Sequence, residues 1–84
     1  MTDDYKSAQG VVQREVLANI RVAAQLTQSQ LSEKLNRPQS YVSKYESGER
    51  KLTLVEVREI ALCCGLTLPE FVDLFENELK INGN

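Results

Sequence analysis

No histidine occurs anywhere in the 84 residues. The side chain that most readily moves protons near neutral pH is therefore missing, and with it the commonest nitrogen ligand for metals. The only two cysteines, Cys63 and Cys64, are adjacent. Adjacent cysteines pair only under strain, and two thiolates leave a tetrahedral zinc site half filled. They read as small core or near-core residues of a chain kept in a reducing compartment. A glycine-rich phosphate loop is also missing. Together these absences argue against an enzyme, a bound metal and a cofactor. No apolar run approaches the roughly 18 residues that a membrane-spanning helix needs. The opening MTDDYKSAQG lacks the basic-then-apolar pattern of a signal peptide, so a cytoplasmic location is expected. There is no alternating strand pattern, no low-complexity stretch and no internal repeat. A chain this short buries a limited core, and dimerisation would help it.

What is present is helical periodicity punctuated by caps. Ser7 can cap a first helix, in which Val12, Val16, Leu17, Ile20, Ala23 and Ala24 share one face reaching about Gln25. Leu26 stands before the next cap, at a hydrophobic-staple position. Thr27 and Gln30 form a T-x-x-Q capping box, and Leu31 and Leu35 give the second helix a buried stripe. Asn36 tolerates the left-handed conformation of a tight exit. Pro38 suits the start of a third helix, expected from Gln39 to about Ser47 with Val42 and Tyr45 inward and Gly48 as its stop. Its remaining face carries Gln39, Ser40, Tyr41 and Lys44. T-x-x-E boxes at Thr53–Glu56 and Thr67–Glu70 open two more helices. The fourth places Leu54, Val57, Ile60, Ala61 and Cys64 on one face and ends at Gly65. The fifth carries Leu68, Phe71, Val72, Leu74, Phe75 and Leu79. The expectation is one compact all-α, five-helix bundle over residues 1–84, frayed at 1–6 and 81–84.

Charge is unevenly spread. The net charge is −2, a weak argument against a polyanionic partner. Yet residues 13–51 carry seven basic and four acidic side chains, net +3, whereas residues 52–84 carry two basic and six acidic, net −4. The basic end surrounds the second and third helices, and local field matters more than net charge for steering to nucleic acid. Two short helices joined by a tight corner cross steeply and project one face of the second outward. That is the geometry of a helix-turn-helix that inserts its second helix into a DNA major groove.

With these residues placed, the stretch from Arg21 to Leu66 resembles the lambda-repressor-like helix-turn-helix family, also called the Xre or Cro/repressor type. The matching features are Leu26-Thr27-Gln28 before the first motif helix, the Leu-x-x-Lys-Leu spacing of Leu31 to Leu35, and the Ser-x-x-Glu-x-Gly spacing of Ser43 to Gly48. The resemblance implies that Gln28 contacts a phosphate. It implies that Gln39, Ser40, Tyr41 and Lys44 fall where recognition-helix base contacts occur. Arg21 and Glu46 match a pair that ties the first helix to the recognition helix in relatives. Arg50 and Lys51 match loop positions that touch backbone phosphate, and Arg37 and Ser43 are further phosphate candidates. Asn36 replaces a frequent glycine, Ser32 a frequent alanine, and Tyr45 a frequent isoleucine or leucine. The chemistry agrees: Gln pairs with adenine N6 and N7, and Lys donates to guanine O6 and N7.

The wide apolar stripe of the last helix points to a partner chain through Phe71, Val72, Phe75 and Leu79. A two-fold dimer would read a palindrome with its recognition helices about 34 Å apart. The leading expectation is a sequence-specific, double-stranded DNA-binding transcriptional regulator of bacterial or phage type, acting as a homodimer. The alternative is an antitoxin-like or adaptor module that binds a protein through its last helix.

Overall fold

The computed structural model describes residues 7–82. The expected frayed segment 1–6 and the last two residues of the expected tail lie outside them. Five helices succeed one another: α1 (Ala8–Ala23), α2 (Gln28–Lys34), α3 (Tyr41–Ser47), α4 (Leu54–Cys63) and α5 (Leu68–Ile81). No strand occurs among the described residues, and the fold is the all-α five-helix bundle expected. No described helix is long and apolar enough to cross a membrane.

The N-termini form where the capping residues stand. Ser7 Oγ accepts the Gly10 N–H at 3.1 Å. Thr27, Thr53 and Thr67 each complete a reciprocal capping box, with Gln30, Glu56 and Glu70. Each cap satisfies helix N–H groups that have no partner within the helix, worth about 1 kcal/mol apiece. The C-termini share a second device. After each of α1 to α4 a residue turns left-handed: Gln25 (φ 62°), Asn36 (58°), Gly48 (91°) and Gly65 (87°). The next amide then bonds back across the last turn, as Leu26 does to the Arg21 carbonyl at 3.2 Å and Arg37 to that of Ser32 at 3.0 Å. Gly48 is favoured by its left-handed backbone, and a Cβ there would also lie 3.1 Å from Arg14 Cζ, so the Arg14 side chain would have to give slightly. Gln25 was expected to continue α1, but the left-handed turn ends that helix at Ala23.

α1 is the central strut, packed against α3, α4 and α5, while α2 packs on α3. Val12, Val16, Leu17 and Ile20 of α1 meet Leu31, Val42, Tyr45, Val57, Ile60, Ala61, Phe71 and Leu79 in one core. Three apolar placements differ from the expected pattern. Leu54, in the first turn of α4, is 68% exposed. Phe71 and Leu79 are buried in the chain's own core, so neither is available to a partner chain. Val72 and Leu74 of α5 do face outward, at 40% and 41% exposed, whereas Leu68 and Phe75 pack partly against the core. Ile81 belongs to α5 rather than to a tail, and the Asn82 side-chain amide donates to the Glu78 carbonyl at 2.8 Å to close the helix.

Tyr45 lies at the centre of this packing, 1% exposed, and its hydroxyl has no hydrogen-bond partner among the described residues. Burial raises its phenol pKa well above the ordinary 10.0. Removing the hydroxyl in Tyr45→Phe is expected to raise the unfolding free energy by about 1 kcal/mol in urea melts, because a desolvated donor disappears. The pH dependence follows from the raised value. The Tyr45 contribution is whole below about pH 10 and declines as pH rises toward the folded-state pKa. Tyr45→Phe therefore loses stability less steeply than wild type above that pH.

Candidate nucleic-acid interface

α3 has seven residues, too few to hold a fixed pose by its own hydrogen bonds. Its placement comes from side chains on three other elements. At its C-terminal end, Glu46 receives three donors. Arg21 Nε reaches Glu46 Oε2 at 2.8 Å, Arg21 Nη2 reaches Oε1 at 3.2 Å, and Gln28 Nε2 reaches Oε1 at 2.9 Å. Arg21 spends a further N–H on the Leu26 carbonyl, at 2.8 Å, just ahead of the α2 cap. One guanidinium thus joins α1, the lead-in to α2, and α3. The pair is mostly shielded, with side chains 15% and 10% exposed. The hydrogen bond from Arg21 to Glu46 raises the Arg21 pKa, outweighing its desolvation.

The N-terminal end of α3 is held differently. The turn N–H of Tyr41 donates to the Pro38 carbonyl at 2.9 Å, so the helix proper begins at Tyr41, two residues later than the expected Gln39. Ser40 makes no side-chain cap. Ser32, fully buried on α2, supplies the missing acceptor: its Oγ takes the Val42 N–H at 3.2 Å. The role of Ser32 was not foreseen from the sequence. The available signal was a hydroxyl beside Leu31, in the apolar stripe that faces α3.

Of the four residues expected to share an outward face, Gln39, Ser40 and Lys44 are exposed. Gln39 Nε2 donates to Ser29 Oγ at 3.1 Å, which orients its amide across the corner. Tyr41 is the exception. Its ring is buried, edge-on to Tyr45 with centroids 5.5 Å apart. The guanidinium carbons of Arg37 and Arg50 lie 4.9 and 5.0 Å from its centroid. Burial raises the Tyr41 pKa, with Glu56 next in effect. Tyr41 faces inward because it stands one turn before Tyr45, on the same face of α3.

The five other expected interface residues are distributed around this helix. Gln28 and Ser43 are half-buried, Ser43 Oγ donating to the Ser40 carbonyl at 2.9 Å. Arg37 precedes α3, and Arg50 and Lys51 follow it, all exposed. Glu56 stands between the first two, with Oε2 at 2.7 Å from Arg50 and 3.6 Å from Arg37. The Thr53 backbone N–H, helped by Arg50, holds the Glu56 carboxyl below its ordinary pKa of 4.5. Glu56 was read only as a capping residue, and the box had already accounted for its carboxylate.

A helix-turn-helix family model matches residues 17–71, from the middle of α1 to the first turn of α5. No curated protein and no solved structure shows a significant match.

The tie between α1 and α3 can be measured by a double-mutant cycle. Arg21→Ala or Glu46→Ala alone is expected to cost about 1–3 kcal/mol in denaturant melts, less than a fully buried pair because some solvent reaches it. The double variant should cost less than the sum of the two. Strict additivity would show that the two residues do not hold one another.

Proposed function

The chain belongs to the helix-turn-helix family of the Xre, or lambda-repressor-like, type, and we propose that it is a sequence-specific double-stranded DNA-binding transcriptional regulator. α3 enters the major groove and reads base edges. The observation that carries this reading is the mounting of α3. Its inner side is fixed through Arg21, Glu46, Gln28 and Ser32, while Gln39, Ser40 and Lys44 remain exposed. Gln39 and Lys44 are the principal readers, with Ser40 beside them. Tyr41 supports the reading surface from below, since its ring is already covered. Gln28, Arg37, Ser43, Arg50 and Lys51 contact backbone phosphates. The regulator acts by occluding or recruiting polymerase at its operator.

The operator is palindromic and the protein is a homodimer. Support for the dimer comes from an apolar hollow of about 290 Å³ between α4 and α5, whose rim includes Leu54, Leu68, Val72 and Phe75. Val72 and Phe75 of the expected interface therefore remain in the proposal, joined by Leu54, whereas Phe71 and Leu79 serve the core. Pairing two copies through this face would cover Leu54 and Val72 and set two α3 helices about one DNA turn apart.

Selection from random duplexes should enrich one motif with wild type. Gln39→Ala and Lys44→Ala should each lose about 1–3 kcal/mol of specific affinity and relax different positions of it. If wild type enriches nothing, the adaptor alternative, with the helix-turn-helix as scaffold only, takes over. For the assembly, sedimentation of Val72→Glu and Leu54→Glu, both at exposed positions, should show a folded monomer where wild type sediments as a dimer. Unchanged mass in both variants would place the contact elsewhere.

A further inference from the structure

Glu56 has one carboxylate and two duties, capping α4 and facing two arginines. Its Oε1 accepts the Thr53 N–H at 2.9 Å, while Thr53 Oγ1 accepts the Glu56 N–H at 3.1 Å, so the side chain is pinned at the start of α4. Its Oε2 faces Arg50 at 2.7 Å and Arg37 at 3.6 Å. Those arginines come from either side of α3 in the chain, Arg37 in the corner before it and Arg50 in the loop after it, and their guanidinium groups converge on that one oxygen. Both lie against the ring of Tyr41. A single carboxylate and a single ring therefore gather two guanidinium groups that come from either end of the recognition helix.

The arrangement leaves donors to spare. Each guanidinium has five N–H groups, and Glu56 engages one nitrogen of each. The arginine side chains are 37% and 41% exposed, whereas Glu56 is only 12% exposed and recessed behind them. In front of the pair lies an open recess of about 280 Å³ lined by Arg37, Pro38, Ser40, Tyr41, Lys44 and Arg50. Three cations line it, against Glu56 behind and Glu59 at 4.0 Å from Arg37. The local balance stays positive toward solvent. Long arginine side chains lose rotamer freedom when they bind, and a side chain already held in place loses less.

We propose that Glu56 is a positioning residue for DNA binding, which acts through Arg37 and Arg50 to present their free N–H groups to a backbone phosphate seated in the recess beside Lys44. The inference rests on the DNA-reading role of α3. It adds that the register of α3 on the duplex depends on a carboxylate of α4 that itself touches no DNA. Removing a negative charge from a nucleic-acid-binding face ordinarily strengthens binding to any duplex. Positioning makes the opposite prediction for the operator alone.

The test is Glu56→Gln in the full chain, with the selected operator and a scrambled duplex measured across a salt series. Glutamine keeps the cap, as Gln30 does in the Thr27 box. Operator affinity is expected to fall about tenfold, while scrambled-duplex affinity holds or rises. The log–log salt slope on the operator should shrink by about one, for one lost phosphate contact. The same change in another capping box, Glu70→Gln on α5, should alter neither affinity. In an Arg50→Ala background the effect of Glu56→Gln should largely vanish. Tighter operator binding with an unchanged slope would make Glu56 a mere opposing charge and overturn the proposal. An equal fall on both duplexes with a lowered melting temperature would reduce it to a structural residue, overturning it as well. Failure of wild type to prefer any sequence would instead refute the DNA-reading role, a result separate from any behaviour of Glu56.

Discussion

The pose of α3 depends first on Glu46 being held. A carboxylate in the last turn of a helix opposes the helix dipole, so Glu46 is locally unfavourable where it stands. It is retained in a fold where Arg21 and Gln28 converge on it from α1 and α2. A seven-residue helix has little stability of its own, and this cluster converts it into a rigid projection of the bundle. Arg21 gains leverage by bonding the Leu26 carbonyl as well. The pose of α3 and the lead-in to α2 are thereby set by the same guanidinium.

The opposite end of α3 follows the same logic with weaker chemistry. Ser40 does not cap its own helix, and Ser32 reaches across from α2 to do so. Where an alanine would leave the Val42 N–H buried without that acceptor, the serine satisfies it. Arg37 and Arg50, from the segments before and after α3, meet at Tyr41 and Glu56. The helix is fixed at both ends and on its inner side, while Gln39, Ser40 and Lys44 stand in solvent. The asymmetry leaves three polar side chains exposed on a scaffold that is held beneath them.

The rest of the bundle separates two kinds of apolar surface on one helix. On α5, Phe71 and Leu79 seal the core against α1, while Val72 and Leu74 are left outside. Phe75 stacks parallel to Phe71, with ring centroids 6.4 Å apart, and forms the border between the two.

Local chemistry determined the helices. Thr27, Thr53 and Thr67 with their partners at the third helical position set three starts, and Asn36, Gly48 and Gly65 set three ends, because these groups act within one turn. The family spacing also fixed Arg21 opposite Glu46, a pairing the structure shows at 2.8 Å. Tertiary structure decided what depends on rotation about a helix axis and on neighbours distant in sequence. Gln25 turned left-handed, the start of α3 slid to Tyr41, and the Tyr41 ring packed into the core on the face it shares with Tyr45. Leu54 and Phe71 are both apolar residues near a helix start, yet one faces water and the other α1. Periodicity defines an apolar stripe only to within about a residue, and a small core has room for part of it. Ser32 and Glu56 acquired their second roles only when α2, α3 and α4 packed, because each bonds a partner that no local pattern places beside it.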